Sequence, residues 1–263
     1  MRGGLTKALR KAALVLALPA LLVTAWWAAT AGSTNFFWPP LADIAGVFGE
    51  TWFTGRFTGD VLPSLARLLA GYLAALTLGV TLGVAIGSSR TLRALVEPVL
   101  EFFRAIPAPV LVPILMLFAG IGNGMKVLVI VSGCVWPVLL NTVEGVRGLD
   151  EVLRDTARCY RLGSRSRLVH LVLRGASPQI AAGARQALSI GIILMVISEM
   201  FAAGNGVGFT IIQFQRSFAI PQMWTGIILL GLIGIALSLV FRVVERRALG
   251  WYTGLRESHR TES

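Results

Sequence analysis

The 263-residue chain is 55% hydrophobic and 14% charged, with a mean hydropathy of +0.74 and a formal net charge of +11. A soluble domain carries roughly a quarter charged residues, and one buried core cannot hide this much apolar surface, so composition excludes an ordinary soluble enzyme and predicts a multi-pass membrane protein. The positive charge would suit a nucleic-acid binder, but the Lys and Arg residues fall in clusters between apolar stretches, a mark of membrane topology that argues against a nucleic-acid partner.

Six apolar stretches approach the roughly 20 residues that a helix needs to cross hydrocarbon. The first, Ala12 to Ala31, follows Arg2, Lys7, Arg10 and Lys11. Its apolar run is too long for a signal peptide and no small-x-small cleavage site stands out, so it is expected to stay as a span. Residues 32–60 mix Trp38, Pro39, Pro40, Trp52 and Phe53 with polar side chains, which predicts a stretch at the outer interface. The second span, Leu62 to Gly87, carries Gly71, Ala74, Ala75, Gly79, Gly83 and Gly87 at intervals of three or four, a pattern for close helix packing. Glu97 and Glu101 follow on one helix face. They lack any activating neighbour for acid–base chemistry and are expected to pair with Arg93 or Arg104.

The third span, Ile106 to Ile121, is short and interrupted by Pro107, Pro109 and Pro113, which predicts a broken helix supported by neighbouring protein. The run Gly120-Ile121-Gly122-Asn123-Gly124-Met125-Lys126 has the look of a phosphate cradle. It lacks the following Ser or Thr and the preceding strand, so it reads as a tight turn and the chain as having no nucleotide site. The fourth, fifth and sixth spans are Met125 to Val146, Ala184 to Ala203 and Met223 to Val244. Cys134 and Cys159 are not expected to form a disulfide, and with only His170 and His259 no metal-ligand spacing exists. With the N-terminus inside, all but four of the 24 Lys and Arg residues (Arg56, Arg67, Lys126, Arg216) fall in inner segments. Both termini are therefore expected to be cytoplasmic. No internal repeat or soluble domain is visible, so residues 1–263 read as a single transmembrane domain.

One connection is long. Residues 147–185 hold eight arginines, and long loops within compact domains are usually functional or disordered. Asp150 to Leu162 places Val152, Leu153, Ala157 and Tyr160 at helical spacing, expected on one face. Gly163 offers a C-cap, Ser164 an N-cap for a second amphipathic helix over 165–173, and Ser177-Pro178 an exit. Two short helices around a tight turn, projecting into the cytoplasm, suit docking into a partner groove; the competing use is a basic loop that sets topology and touches anionic lipid. Glu199 is the other conspicuous residue. A carboxylate at membrane depth is expensive and usually has a partner, and Arg67 is the match by depth, a pair expected at the pathway or its gate; the alternative is a Glu199 near the outer surface that snorkels or caps. No nucleophile–base pair is present.

The long loop resembles the "EAA" loop of binding-protein-dependent ABC permeases, a pattern of Glu-Ala-Ala, a Gly four residues on, then Ile-x-Leu-Pro. Here the register offers Asp155-Thr156-Ala157, Arg161 and Leu171-Val172-Leu173-Arg174, with Arg161 standing at the Gly position and Gly163 expected to take over the turn. Pro63-Ser64-Leu65-x-Arg67, Leu78-Gly79 to Leu82-Gly83, Arg104-x-Ile106-Pro107, Gly120-Ile121-Gly122, Gly145-Val146-Arg147, Ala176-Ser177-Pro178-Gln179-Ile180, Glu199 with Gly206-Val207-Gly208, and Glu245-Arg246-Arg247 are similar to the nitrate, sulfonate and taurine permeases, from about Pro39 to Trp251. The resemblance implies an all-α, six-span type I ABC importer permease fold. It implies a two-fold permease dimer, two cytoplasmic ATPase subunits that use ATP and Mg, and an extracytoplasmic substrate-binding protein, with no cofactor in this chain. It also implies that Asp155, Thr156, Ala157, Arg158, Arg161, Leu162 and Gly163 form the ATPase-coupling element, and that Arg67 and Glu199 belong to the alternating-access pathway of a small solute. The alternative is an ion-coupled secondary transporter or channel without an ATPase; its hallmark, inverted repeats, is not found.

Overall fold

The computed structural model describes residues 17–201 and 204–252, and among these the chain is helical with no strand. Residues 12–16 of the first expected span, the basic residues Arg2, Lys7, Arg10, Lys11, Arg256 and Arg260, His259, and residues 202–203 lie outside the described residues. The helices are α1 (Ala17–Thr30), α2 (Leu41–Phe53), α3 (Phe57–Ser88), α4 (Arg90–Ala105), α5 (Leu111–Ala119), α6 (Asn123–Arg147), α7 (Glu151–Cys159), α8 (Ser164–Phe201), α9 (Val207–Arg216) and α10 (Ile220–Ala248). Helices α3, α6, α8 and α10 are long and apolar enough to cross a membrane, and the bent run from α4 through α5 makes a fifth crossing if counted as one span. The contacts divide the chain into two compact units, Met1–Phe57 with Thr210–Leu229, and Thr58–Phe209 with Leu230–Ser263.

The first unit is organised by tryptophans. Trp38 and Trp224 meet edge-on at 5.3 Å and Trp26 packs against Trp224 at 5.6 Å, geometries that aromatic quadrupoles favour. Trp52 is buried and donates its indole N–H to Thr225 Oγ1 at 2.9 Å.

The second unit is built on α3, α6 and α8. The small-residue stripe expected in the second span does the packing. A Cβ on Gly71, Gly79, Gly83 or Gly87 would lie 2.6–2.9 Å from the Cβ of Ile130, Val138, Thr142 or Val146 respectively. The constant offset means that α3 and α6 run parallel in near backbone contact. Across α6, Gly145 faces Ala176 and Gln179 while Gly133 faces Leu194, so α8 runs antiparallel. Leu68, Tyr72, Val129, Ile130, Cys134, Val138, Ala187 and Leu194 fill the seam, and the Tyr72 hydroxyl donates to the Ala184 carbonyl at 3.0 Å. Apolar burial adds little in lipid, so this shape fit carries the association. Gly83→Leu is expected to cost about 1–3 kcal/mol, seen as a lower melting temperature in detergent. Gly231→Leu, at a position with open space, should melt as the parent does.

The three prolines of the third span act at a bend. Ile106 is extended (φ −77°, ψ 119°), as a residue before proline prefers, and α4 meets the next helical segment at 74°. Pro107 and Pro109 lie at the start of a short 3-10 turn and Pro113 in the first turn of α5, where a missing N–H leaves no bond unmade. The α4 helix itself was not anticipated beyond the shared face of Glu97 and Glu101; its Glu101 pairs with Arg104 at 2.5 Å.

The long loop differs from expectation. The second amphipathic segment is not separate, because α8 begins at Ser164 and continues, through a π-helical stretch at Arg167–Leu173 and past Pro178, to Phe201. Pro178 cannot donate to the Arg174 carbonyl, and the Ser177 hydroxyl does so instead at 2.7 Å, so the expected exit signal is absorbed within the helix.

Candidate functional site

At the end where α3 and α6 begin and α8 finishes, the second unit encloses a cluster of buried polar groups. Asp60, Ser64 and Arg67 recur every three or four residues and share one face of α3. Glu199, fully buried, lies two residues before the end of α8. Its carboxylate accepts from Arg67 Nη1 at 2.7 Å and from the Gly208 backbone N–H at 3.0 Å, and the Ser64 hydroxyl lies 2.7 and 2.9 Å from its two oxygens. Arg67 spends its other donors on Asn123 Oδ1 at 2.8 Å, the Asn205 carbonyl at 3.2 Å and Asn205 Oδ1 at 2.6 Å. The sequence reading paired Arg67 with Glu199, and the two form this ion pair.

Three consecutive backbone N–H groups close over the cluster: Gly206 to Asp60 Oδ1, Val207 to Ser64 Oγ and Gly208 to Glu199 Oε2, each at 3.0 Å. Gly206 has φ +123°, and any Cβ there would overlap the Glu199 carboxylate; one on Gly208 would strike the Val196 carbonyl. Thus Gly206-Val207-Gly208 is a wrapping turn around a buried anion. Asp60, Ser64, Asn123 and Asn205 were missed as site residues. Ser64 and the two glycines stood in recognisable motifs, but only the fold shows that they meet. Lys126, buried in the first turn of α6, adds a second cation near this end.

The expected coupling residues lie at the opposite, arginine-rich end. Asp150 caps α7 by accepting the Val152 N–H at 2.9 Å, and Asp155 pairs with Arg158 at 3.0 Å. Thr156 folds back onto the Val152 carbonyl. Arg161 adopts φ +50°, with Leu162 N–H bonding the Ala157 carbonyl and Arg161 N–H the Arg158 carbonyl. This is a Schellman stop with an arginine at the left-handed position that glycine favours. Gly163, at φ −59°, does not take over the turn; Arg161 makes it directly. Ser164 is the first residue of α8 rather than its cap.

The four apolar residues of α7 expected on one face do not share it. Ala157 is buried, whereas Val152, Leu153 and Tyr160 are 69%, 52% and 78% exposed. Ala157 and the half-buried Arg154, which donates to the Val146 carbonyl, hold α7 to its own chain. The three large apolar residues point away from it.

Between these ends, α6 and α8 line a cavity of about 450 Å³ with Trp136, Asn141, Gln186 and Ile190, and Arg104 and Pro107 at its margin. Asn141 Nδ2 donates to the Pro137 carbonyl at 2.8 Å and lies 3.3 Å from Gln186 Oε1. A largely apolar wall with two amides suits a small solute that offers a few polar groups. None of these residues stood out in the sequence, where Asn141 and Gln186 pass as ordinary polar residues near span ends.

Comparisons with known proteins bear on the whole. The profile of the family described as binding-protein-dependent transport system inner membrane component matches residues 75–250. The taurine transport system permease protein TauC of Escherichia coli K12 is 28% identical over 252 residues, covering 92% of this chain and 91% of that one. The bicarbonate transport system permease protein CmpB of Synechococcus elongatus is 29% identical over 153 residues, covering 58% of this chain and 55% of that one. Among solved structures, an inward-facing form of the MetNI methionine ABC transporter matches with a TM-score of 0.62 at 18% identity, covering 72% of this chain and 94% of that one, which establishes a shared fold. The family match takes in α6, α7, α8 and α10 entire, and by it the chain belongs to the binding-protein-dependent inner membrane components, the permeases of ABC transporters.

Proposed function

We propose that this chain is the pathway-forming permease of an ATP-driven importer, a single six-span transmembrane domain with both termini in the cytoplasm of a bacterial-type inner membrane. The observation that carries the proposal is α7, a short capped helix anchored by Ala157 and Arg154 whose Val152, Leu153 and Tyr160 are exposed between two spans. An isolated apolar face of this kind suits helix-in-groove recognition by a partner. The positive-inside rule puts the arginine-rich end, and α7 with it, in the cytoplasm. There a separate ATPase subunit, using its own ATP and Mg, would seat Asp155, Thr156, Arg158, Arg161, Leu162 and Gly163 around the helix, with Ala157 setting the helix's seat on the permease.

The remaining parts have consistent assignments. Two copies of the chain enclose the pathway, each contributing the wall of Trp136, Asn141 and Gln186. An extracytoplasmic binding protein delivers the solute. Arg67 and Glu199 frame the gate at the outer end, holding α3, α6 and α8 together as one body while the pathway opens and closes. The relatives named for taurine and bicarbonate favour a small anionic or zwitterionic solute of the sulfonate, taurine or nitrate kind. The chain itself hydrolyses nothing.

The test is capture in detergent of an ATPase encoded beside this chain. The intact chain is expected to retain it, and a variant in which residues 151–162 are replaced by a Gly/Ser linker is expected to lose it. Equal retention by both would overturn the docking role of α7.

A further inference from the structure

Five arginines converge at the basic end, Arg158 of the expected coupling residues among them. The turn from α3 into α4 brings Arg90 and Arg93, the end of α6 brings Arg147, and α7 brings Arg154 and Arg158. Together with Glu151 and Asp155 they line a cavity of about 620 Å³. These two carboxylates, with Glu144 beside Arg147, stand against five guanidinium groups and leave an excess of two positive charges. Arg90 pairs with Glu151 at 3.9 Å and Arg158 with Asp155 at 3.0 Å, while Arg93 and Arg154 have no carboxylate partner among the described residues. Arg147 is shared with Glu144 at 2.7 Å. A second cavity of about 160 Å³ shares Ser88, Leu149, Arg154 and Arg158 with the first, and adds Arg167 and the apolar Val146, Leu171 and Val172.

Helix α4 indicates what this chamber faces. It has no buried residue, and Leu92, Leu95, Val99, Phe102 and Phe103 form one exposed apolar stripe, opposite Arg90, Arg93, Glu97, Glu101 and Arg104. A helix of that pattern suits the plane of a membrane surface with its apolar stripe in the acyl boundary, an arrangement in which the third span is left to α5 and the bent α4–α5 run is not one crossing. Arg90 and Arg93, at its start, are thereby held at headgroup depth.

We propose that this arginine-lined chamber binds the phosphate group of an anionic phospholipid from the cytoplasmic leaflet. Guanidinium groups converging on a phosphodiester give charge-assisted, planar hydrogen bonds. Basic pockets between helices on the cytoplasmic side are suited to such headgroups, and the adjoining cavity, half polar and half apolar, suits the glycerol backbone. Because Arg154 and Arg158 belong to α7, a bound lipid would brace the inner side of the docking helix. The proposal takes from the functional reading only that the basic end is cytoplasmic, and its test needs no ATPase.

The experiment is binding of short-chain phosphatidylglycerol to the full chain in a neutral detergent, read by native mass spectrometry. Saturable binding is expected, weakened about tenfold or more, or 1.4 kcal/mol, in the variant Arg90→Gln/Arg93→Gln/Arg147→Gln. The variant Arg246→Gln/Arg247→Gln on α10 should bind as the parent does. Should the triple variant fail to fold, Arg93→Gln alone should weaken binding measurably. Equal binding of phosphatidylcholine, or equal loss in the α10 variant, would overturn the proposal. Displacement by inorganic phosphate at matching concentration would assign the chamber to free phosphate instead. Loss of ATPase capture with lipid binding unchanged would assign the arginines to the partner subunit.

Discussion

Glu199→Gln is expected to destabilise the protein by about 3–5 kcal/mol, because it leaves the Arg67 guanidinium buried without its counter-charge. Arg67 is 5% exposed and Glu199 fully buried, so water cannot replace the lost partner. The loss should reach further than one ion pair. Glu199 also accepts the Gly208 N–H and lies against Ser64, and the same wrapping turn bonds Asp60 and Ser64. Removing the charge therefore loosens the connection from α8 into α9 as well as the junction with α3. Thermal unfolding in detergent checks the magnitude. A double-mutant cycle with Arg67→Gln checks the cause, since the double variant should lose much less than the two single losses added together. Simple additivity, or a Glu199→Gln cost below about 1 kcal/mol, would mean that the pair is not what holds this end closed. Uptake should fall with the stability loss.

The second large effect concerns α7 and separates the two faces of that helix. Leu153→Asp or Tyr160→Asp should weaken capture of the ATPase by about tenfold or more, since apolar anchors in a partner's groove commonly carry over 1.4 kcal/mol each. Because both side chains are exposed, melting of the isolated permease should not change. Ala157→Asp should behave differently. It puts a charge into the seat of the helix on its own chain, so it should lower the permease's own stability as well as its coupling. Were Leu153→Asp and Ala157→Asp equally harmless to capture, α7 would have no docking role. Were Ala157→Asp to uncouple with no stability loss, the face assignment would be reversed.

Much of the fold was legible because lipid imposes simple rules. Apolar length located α3, α6 and α10, and the small-residue stripe marked the side of α3 that α6 approaches. Depth matching joined Arg67 to Glu199. What escaped were features set by tertiary partners. The prolines at 107, 109 and 113 signalled a break but not that an amphipathic helix, α4, precedes it, since its hydrophobic residues are too few to resemble a span. Pro178 looked like a stop, yet one hydroxyl from Ser177 is enough to carry α8 through it. Arg161 looked like a loss of the glycine turn. The backbone bonds that close the turn are indifferent to the side chain, and the left-handed strain is modest enough for an arginine to bear. The partners of the buried pair lay far apart in sequence, so Ser64, Asn123, Asn205 and Gly206 became a single site only once the chain was folded. Asn141 and Gln186 are an extreme case, being polar residues whose only distinction is the cavity that they share.

The measurement that bears most directly on the importer reading is solute uptake into liposomes holding the purified chain with its neighbouring ATPase, the matching binding protein being supplied outside. Uptake that requires both ATP within the liposome and the binding protein, and that collapses with Leu153→Asp, is the expected result. Uptake driven by an ion gradient with no ATPase present would contradict it and make the chain a secondary transporter.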